Sequence, residues 1–448
     1  MEINFFASDL IKSFFKKLNH EEIQYAVLRN YEKLPDANDS KDVDIIVAPN
    51  NLREAFSVLK ESAKENNYQL IWKNKLDYLT GVVFVKIEDG NVFSVKIDLF
   101  SGFKWRGCTY IKPDIILNST ENYNGFKVPA KAHEAFIMIV YYIFYARKIK
   151  LKYLEPIDNN ANNNLNAFSE ITKLTFPESL AEKILFLVKS HKIKELVSLR
   201  NEMRSSVIKY SFRHENLILS FFKHVKTEYW NRKRFGTLIA FSGPDGAGKS
   251  TLVDAVMELF CSLGINANTT PHHLLSKNIP SLHKLPGAPK KYAKQDYTKP
   301  YQAKTAGLLS STVRTTYYFF TFLLDRKFYI KKELKKNHVV IFDRYYTDLM
   351  ADPTRIRIGL KKSLVQKVFN ALQSPNFTFI ILADKEKILN RKDELKEEKL
   401  VELLLAYENL QSIVPNCKIL YNNGSVDDGK LMICQNVFNK LEEKNRKR

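Results

Sequence analysis

The feature that most constrains this chain is a glycine-rich segment near the middle of the sequence. Residues 243–251 read Gly-Pro-Asp-Gly-Ala-Gly-Lys-Ser-Thr and match the pattern G-x-x-x-x-G-K-[ST] without a gap. The largely apolar run at 236–242 predicts a buried strand, and the apolar spacing over 252–263 predicts a helix. This strand–loop–helix context is the one in which the pattern forms a phosphate-binding loop.

The residues of this loop have distinct predicted roles. Glycines let backbone N–H groups converge on phosphate oxygens, and the helix N-terminus adds partial positive charge. We expect Lys249 to reach the β- and γ-phosphates and Ser250 to hold Mg²⁺. The flanking elements favour a nucleotide site, with ATP as the expected ligand, over a purely structural turn. The predicted nucleotide-binding residues are Gly243, Gly246, Gly248, Lys249, Ser250 and Thr251.

The charge of the chain favours an anionic partner. Lys and Arg together number 70 against 49 for Asp and Glu, a formal net charge of +21. Nucleotides, phosphorylated sugars, nucleic acids and acidic membrane surfaces carry the complementary charge. A lysine-rich solvated surface is the alternative. Nucleic acid is the less favoured partner class, because only the net charge suggests it.

Cysteine usage and hydropathy favour a cytoplasmic protein. The 4 cysteines show no metal-ligand spacing and no dense disulfide framework, which suits a reducing compartment. Residues 1–6 lack the pattern of a signal peptide, and the longest apolar run, 135–146, is too short to span a bilayer. Residues 4–18 predict an amphipathic helix. It either packs on its own domain or contacts an acidic membrane surface.

Three aspartates in the N-terminal region form a second candidate site. The predicted strands Val43–Val47 and Phe93–Phe100 carry Asp44 and Asp98, and Asp42 precedes the first strand. Because residues i and i+2 of a strand share a face, we expect the three carboxylates to converge. Such clusters hold two Mg²⁺ ions in phosphoryl and nucleotidyl transfer. Strand-end aspartates that cap loops are the alternative.

This Asp-x-Asp pattern with a distant third Asp resembles the nucleotidyltransferase superfamily, over roughly the first 125 residues. The resemblance implies an α+β fold with a metal site at Asp42, Asp44 and Asp98. The family has a Gly-Ser loop about a dozen residues upstream for the triphosphate, whereas this chain has Leu28-Arg29-Asn30. An inactive nucleotidyltransferase domain is therefore kept as an alternative.

The segment between the two candidate sites is predicted to be mostly helical. Residues 130–149, 180–189 and 191–203 have helical periodicity, and the asparagine-rich run at 159–164 is predicted to be a polar loop. We therefore divide the chain into a nucleotidyltransferase-like domain (1–125), a helical extension or linker (126–234) and a P-loop domain (235–448).

A second motif follows the P-loop in the same predicted domain. The segment 339–345 reads Val-Val-Ile-Phe-Asp-Arg-Tyr and places Asp343 at the C-terminal end of a strand, where ligands bind in open α/β sheets. We expect Asp343 to coordinate the nucleotide's Mg²⁺, directly or through water, and Arg344 to grip a phosphate bidentately.

Residues 236–448 resemble the thymidylate kinase family. The resemblance is carried by the loop 245–251, by Asp343-Arg344-Tyr345, and by Arg391-Lys392 as lid cations. It implies a parallel-sheet P-loop kinase, a homodimer, and catalytic roles for Arg391 and for Asp245, which would orient the acceptor. The segments 343–348, 352–357 and 391–395 more narrowly resemble thymidylate-kinase-like proteins associated with bacterial surface polysaccharide.

One departure from that family concerns the acceptor. Members that phosphorylate dTMP carry a Phe-Arg-Glu-Pro-Gly stretch after the second strand, and residues 266–278 lack it. We expect residues 266–330, with Arg355 and Arg357, to bind a different anionic acceptor; an exposed basic insertion is the alternative. The expected pocket residues are His272, His273, Lys290, Lys291, Tyr292, Arg314 and Tyr317.

The sequence thus predicts an ATP- and Mg²⁺-dependent kinase acting on an anionic small molecule, either a nucleoside monophosphate or a sugar or glycan precursor. Its P-loop kinase domain would follow an α+β nucleotidyltransferase-like domain. The alternatives are a nucleotide-gated binding or assembly protein and a nucleic-acid-directed nucleotidyltransferase.

Overall fold

The computed structural model describes residues 3–214, 217–228, 236–270, 305–391 and 397–446. The chain divides into two compact units. Apart from the first few residues of the chain, the first unit comprises Asn4–Asn231 and the second unit comprises Arg232–Arg448. Most of the predicted helical extension therefore lies in the same unit as the predicted N-terminal domain. The three-segment division made from the sequence stays a prediction.

A mixed sheet of six strands forms the centre of the first unit. Its strands are β1 (Ile3–Phe6), β2 (Tyr25–Val27), β3 (Val43–Val47), β4 (Gln69–Lys75), β5 (Leu79–Glu88) and β6 (Asn91–Phe100). The order is β2-β3-β6-β5-β4, and β1 pairs with β6. β3 and β6 are parallel, whereas the β2–β3, β4–β5 and β5–β6 pairs are antiparallel. Two hairpins follow, formed by β7 (Phe103–Trp105) with β8 (Cys108–Ile111) and by β9 (Thr120–Tyr123) with β10 (Phe126–Pro129).

Helices cover both faces of this sheet, because alternate side chains of a strand point to opposite sides. Ile45 packs in a core with α1 (Ser8–His20) and α2 (Leu52–Glu65). Its neighbour Ile46 packs in a separate core with the later helices of the unit. These are α3 (Pro113–Leu117), α4 (Lys131–Tyr141), α5 (Leu154–Asn163), α6 (Leu165–Thr175), α7 (Glu178–Lys189) and α8 (Arg200–His214); α9 (Leu217–Lys226) follows them.

The N-terminal amphipathic helix uses its apolar face inside the unit. The buried side chains of α1 are Leu10, Ile11, Phe14, Phe15 and Leu18, and all belong to the core beneath α1 and α2. This burial is the packing alternative expected for residues 4–18. The predicted start of the helix is wrong, because residues up to Phe6 pair with β6 as strand β1 and the helix begins at Ser8.

The polar loop predicted for residues 159–164 is wrong, because α5 runs through almost all of it. Ile157 and Ala161 lie four residues apart, on one face of the helix, and both are buried. Asn162 Nδ2 donates to the carbonyl of Val188 (3.1 Å) and to Asp158 (2.8 Å). Burial of one face and satisfied side-chain amides therefore outweigh the low helix propensity of asparagine.

The second unit is built on a five-stranded sheet. Its strands are β11 (Thr237–Ser242), β12 (Ala267–Thr270), β13 (Val339–Asp343), β14 (Phe377–Leu382) and β15 (Cys417–Tyr421). The order is β12-β13-β11-β14-β15, and each adjacent pair is parallel. β11, β13 and β14 are buried along their whole length, as central strands of a parallel sheet are. The prediction of an α/β fold with a parallel sheet is confirmed.

Eight described helices accompany this sheet. They are α10 (Lys249–Ser262), α11 (Leu308–Asp325), α12 (Lys331–Lys335), α13 (Tyr346–Ala351), α14 (Lys362–Asn370), α15 (Lys385–Arg391), α16 (Glu397–Ile413) and α17 (Val426–Arg446). Within the described ranges of the chain, no helix combines the length and apolarity needed to cross a membrane.

Candidate functional site

The glycine-rich loop joins the central strand of the second sheet to a helix. β11 ends at Ser242, and α10 begins at Lys249, so the loop lies at the carboxyl edge of the parallel strands. β13 pairs with β11 so that Asp343 is the register partner of Phe241. The sheet therefore brings the Asp343 carboxylate beside the start of the loop, as its position at a strand end predicted.

Two glycines of the loop have backbone requirements that other residues meet only with strain. Gly243 has φ = 145°, and a Cβ there would lie 2.1 Å from the carbonyl oxygen of Ile381. Gly246 has φ = 87° with looser surroundings, since a Cβ there would lie 3.3 Å from both a side-chain methyl and the carbonyl oxygen of Ile388. Gly243 thus permits close contact between backbone segments, and Gly246 permits the left-handed turn of the loop.

We expect Gly246→Ala to weaken ATP binding about tenfold while the unit stays folded. A left-handed conformation costs an L-residue roughly 1–2 kcal/mol, and about 1.4 kcal/mol corresponds to a tenfold change in affinity. Isothermal titration calorimetry measures the change. Gly264→Ala is the matched control, because Gly264 has φ = 65° but lies just beyond the far end of α10. Equal ATP affinity in wild type and Gly246→Ala would show that binding does not need this loop conformation.

Lys249 is buried at the base of the loop, with 5% of its surface exposed. Its Nζ donates a hydrogen bond of 2.6 Å to the carbonyl of Pro244, within the loop itself. Burial, together with the nearby positive charge of Arg344, lowers the pKa of Lys249 to about 7. The lysine is therefore a poorly solvated cation, and an incoming anion would stabilise its charge.

Ser250 and Asp343 meet across the site. Ser250 Oγ donates a hydrogen bond of 2.8 Å to Asp343 Oδ2. A hydroxyl and a carboxylate are ligands that Mg²⁺ takes in P-loop sites. The donor set therefore fits the predicted metal. Thr251, next to Ser250, lies exposed on the first turn of α10.

Asp245, in the middle of the loop, lies between two arginines. One carboxylate oxygen accepts from Arg344 Nη2, and the other accepts from Arg355 Nη1 at 2.5 Å. Burial opposes ionisation, but the two guanidinium groups hold the pKa of Asp245 well below its usual value. Asp245 thus remains a carboxylate and links the loop to the segment after β13.

Arg344 is buried and takes part in a second ion pair. Its Nη1 donates to Asp348 Oδ1 at 2.9 Å and to the carbonyl of Gly243 at 3.2 Å. Burial disfavours the cation, yet the carboxylates of Asp348 and Asp245 raise the pKa of Arg344. Both terminal nitrogens of Arg344 contact protein groups here, and its predicted grip on phosphate stays a prediction.

Asp348 belongs to the segment 343–348 noted in the sequence, where it was given no role, yet the structure makes it the centre of a network. Its side chain is fully buried and accepts from Arg344, from Tyr407 Oη (2.7 Å) and from Ser242 Oγ (2.9 Å). It also caps α13 through the backbone N–H of Tyr345 (3.3 Å). The available signal was the opposite charge of Arg344 and Asp348, four residues apart around the start of α13.

Two further residues, which follow β14 and β15 in the chain, donate hydrogen bonds to carbonyl groups of the loop. Arg391, at the end of α15, donates to the carbonyl of Gly246 (3.2 Å), so the structure brings this predicted lid cation to the loop. Asn422, directly after β15, donates to the carbonyl of Ala247 (3.0 Å). Lys392 and the rest of the segment 392–396 lie outside the described residues.

Only part of the predicted acceptor pocket can be placed. His272, His273, Lys290, Lys291 and Tyr292 lie outside the described residues. Arg314 and Tyr317 are on α11, and Arg314 Nη1 lies 3.4 Å from the carbonyl of Ile356, the residue after Arg355. Arg314 and Arg355 are therefore brought to the same region.

The three aspartates of the first unit converge as expected from their positions. Asp44 on β3 is the register partner of Asp98 on β6, and carboxylate oxygens of Asp42, Asp44 and Asp98 lie within 4.8 Å of one another. Burial and the neighbouring carboxylates raise the pKa of Asp98 to about 7, against the opposing effect of Lys96. Burial likewise raises the pKa of Asp44.

Two cations lie inside this cluster and were not assigned a role from the sequence. Arg29 Nε lies 2.6 Å from Asp44 Oδ2. Lys96 Nζ lies 3.3 Å from Asp42 Oδ2 and 3.7 Å from Asp98 Oδ2. Arg29 belongs to the segment Leu28–Asn30, which stands where the resemblance to nucleotidyltransferases implied a Gly-Ser loop.

Some solved structures are similar to part of this chain, whereas the other comparisons give no match. No protein-family model matches the chain, and no curated protein matches it. Thymidylate kinase from Ehrlichia chaffeensis is similar in structure, with a TM-score of 0.30 and 16% sequence identity. The match covers 45% of this chain and 97% of that chain.

Proposed function

We propose that the second unit is an ATP- and Mg²⁺-dependent kinase that transfers the γ-phosphoryl group to an anionic small-molecule acceptor. The observation that carries this proposal is the contact between Ser250 and Asp343 at the foot of the P-loop. It brings together, from the first turn of α10 and the end of β13, the two side chains that P-loop enzymes use for the metal of the nucleotide.

The residues of this chain would divide the work of phosphoryl transfer. Lys249 and the loop N–H groups would bind the β- and γ-phosphates, and Ser250 and Asp343 would hold Mg²⁺. The ion, when bound, neutralises negative charge on the phosphate oxygens. Arg391 would approach the transferring group from α15 and offset the charge that develops there.

The acceptor is expected to carry negative charge and to differ from dTMP. Arg355 contacts Asp245 of the loop, and Arg314 contacts the residue after Arg355, so both supply cations beside the loop. The chain also lacks the stretch that dTMP kinases carry after the second strand. A nucleoside monophosphate and a phosphorylated sugar or glycan precursor both satisfy this requirement.

A screen of ADP release tests this function. The chain is incubated with ATP and Mg²⁺ and with nucleoside monophosphates, sugar phosphates or glycan precursors in turn. We expect one acceptor class to raise ADP release in a saturable manner. If ATP binds tightly but no acceptor raises turnover, the alternative of a nucleotide-gated binding or assembly protein replaces the kinase.

We expect Arg355→Ala to raise the KM for the acceptor by about 10- to 100-fold, with little change in the KM for ATP. Hydrogen bonds to charged groups contribute roughly 1.5–3 kcal/mol, which corresponds to this range. Steady-state kinetics with the acceptor from the screen measures both constants. Arg446→Ala, which removes an exposed arginine paired with Glu442, is the control.

Efficient, saturable phosphorylation of dTMP would contradict this assignment if it were unchanged in Arg355→Ala and Arg314→Ala. The second unit would then be an ordinary thymidylate kinase, and the two arginines would have no part in acceptor binding.

A further inference from the structure

The carboxylate cluster of the first unit has the composition of a two-metal site but not its charge balance. A two-metal site needs carboxylate oxygens that are open to two cations about 3.5–4 Å apart. Here each aspartate already has a cationic partner: Arg29 contacts Asp44, and Lys96 contacts Asp42 and Asp98. Arg29 and Lys96 already offset two of the three negative charges of the aspartates. Two divalent metal ions would add four more positive charges and leave the cluster strongly positive. The residues present therefore do not fit that metal pair.

Arg29 is held firmly in this position. Its partner Asp44 is nearly fully buried, and the Arg29 guanidinium lies over the ring of Tyr141 with 4.9 Å to the ring centroid. The next residue, Asn30, accepts a hydrogen bond of 2.9 Å from Tyr153 Oη. Contacts with Tyr141 on α4 and with Tyr153, just before α5, thus hold the segment Leu28–Asn30 against the cluster.

Lys96 is part of the sheet itself. It precedes Asp98 by two residues on β6, so both side chains lie on the same face of the strand. Its Nζ reaches two carboxylates of the cluster, those of Asp42 and Asp98. A cation is therefore built into the strand that carries the third aspartate.

We propose that Arg29 and Lys96 take the place of metal ions in this cluster. The cluster is then a metal-independent ion-pair centre that joins β3, β6 and the Leu28–Asn30 segment. The first unit does not perform metal-dependent nucleotidyl transfer, and the phosphotransfer chemistry of the chain belongs to the second unit.

Electron paramagnetic resonance of free Mn²⁺ tests this proposal on the full chain without nucleotide. Three proteins are compared: wild type, Asp42→Asn and the double variant Arg29→Gln/Lys96→Gln. Asp42 is chosen because it is the most exposed of the three aspartates. We expect equal Mn²⁺ uptake by wild type and Asp42→Asn. The double variant should bind Mn²⁺ at least about tenfold more tightly. It lacks the two positive charges that lie within about 4 Å of the carboxylates and repel a metal ion there.

Two results would overturn the proposal. Greater uptake by wild type than by Asp42→Asn would show that the cluster binds metal despite its cations. Unchanged uptake by a folded double variant would show that the cations are not what keeps metal out. If circular dichroism shows that the double variant is unfolded, Lys96→Gln alone replaces it. The Mn²⁺-dependent shift in melting temperature of wild type against Asp42→Asn then gives a second readout, with equal shifts expected.

Discussion

Lys249→Ala is expected to lower kcat for phosphoryl transfer by about 10²–10³ while the chain stays folded. Removal of one preorganised electrostatic group from a reaction centre typically has an effect of this size. Lys249 is the buried cation of the P-loop, and its Nζ donates to the carbonyl of Pro244 within the loop. The substitution therefore deletes a charge at the phosphates and very little apolar packing.

The control for this variant is Lys440→Ala. Lys440 forms an ion pair with Glu443 (3.1 Å) on α17, and partly exposed ion pairs of this kind contribute little to stability. We expect Lys440→Ala to keep the wild-type kcat, and circular dichroism to show both variants folded. Undiminished turnover by folded Lys249→Ala would remove the catalytic role assigned to this lysine.

The pH dependence of ATP binding gives an independent check on Lys249. Folding lowers the pKa of Lys249 from 10.5 to about 7. Between these two pH values, Lys249 is protonated in the unfolded chain and deprotonated in the folded chain. The free energy of unfolding of the ligand-free chain therefore rises with pH across this window. ATP favours the charged lysine, so binding takes up a proton and the ATP affinity falls as pH rises above about 7. Lys249→Arg, which does not titrate there, should show a flatter profile by calorimetry.

Local patterns made the P-loop predictable. The strand at 237–242, the glycine loop and α10 are contiguous in the sequence, and each has its own periodicity or composition. The position of Asp343 was also predictable, because a polar residue that ends an apolar strand must lie at the edge of a parallel sheet. Convergence of Asp42, Asp44 and Asp98 followed from strand alternation and adjacent strands in the same way.

Partners that are distant in the sequence were not predictable. Tyr407 and Ser242 meet at Asp348 only because α13, α16 and β11 pack together, and no spacing encodes that contact. The pairing of Arg29 with Asp44 depends on the path of a short segment after β2. The loop predicted for the asparagine-rich run was wrong because composition favours a loop there, whereas burial of one side of α5 stabilises a helix.

Asp348→Ala is expected to have the largest effect on stability, destabilising the second unit by about 3–5 kcal/mol. Removal of one partner of a buried ion pair is strongly destabilising. Arg344 would keep its ion pair with Asp245 but would lose the one with Asp348. Here the Arg344 guanidinium would lose a 2.9 Å contact in a site where only 9% of its side chain is exposed. Ser242 and Tyr407 would lose their acceptor in the same step.

Differential scanning calorimetry measures this effect. In wild type, the transition of the second unit is identified as the one that ATP shifts upward, since ligands stabilise the unit that binds them. In Asp348→Ala without ATP, that transition should fall by roughly 6–20 °C, at about 2–4 °C for each kcal/mol in a unit of this size.

Two variants separate charge from packing in this network. Asp348→Asn keeps an acceptor for Ser242 and Tyr407 but removes the negative charge beside Arg344, so we expect an intermediate loss of stability. Asp427→Ala removes an exposed carboxylate from the first turn of α17 and should change the melting temperature little. Because Asp348 also contacts the backbone N–H of Gly243 (3.4 Å), its loss should weaken ATP binding as well. If Asp348→Ala melts like Asp427→Ala and binds ATP like wild type, then this network neither stabilises the unit nor positions the P-loop.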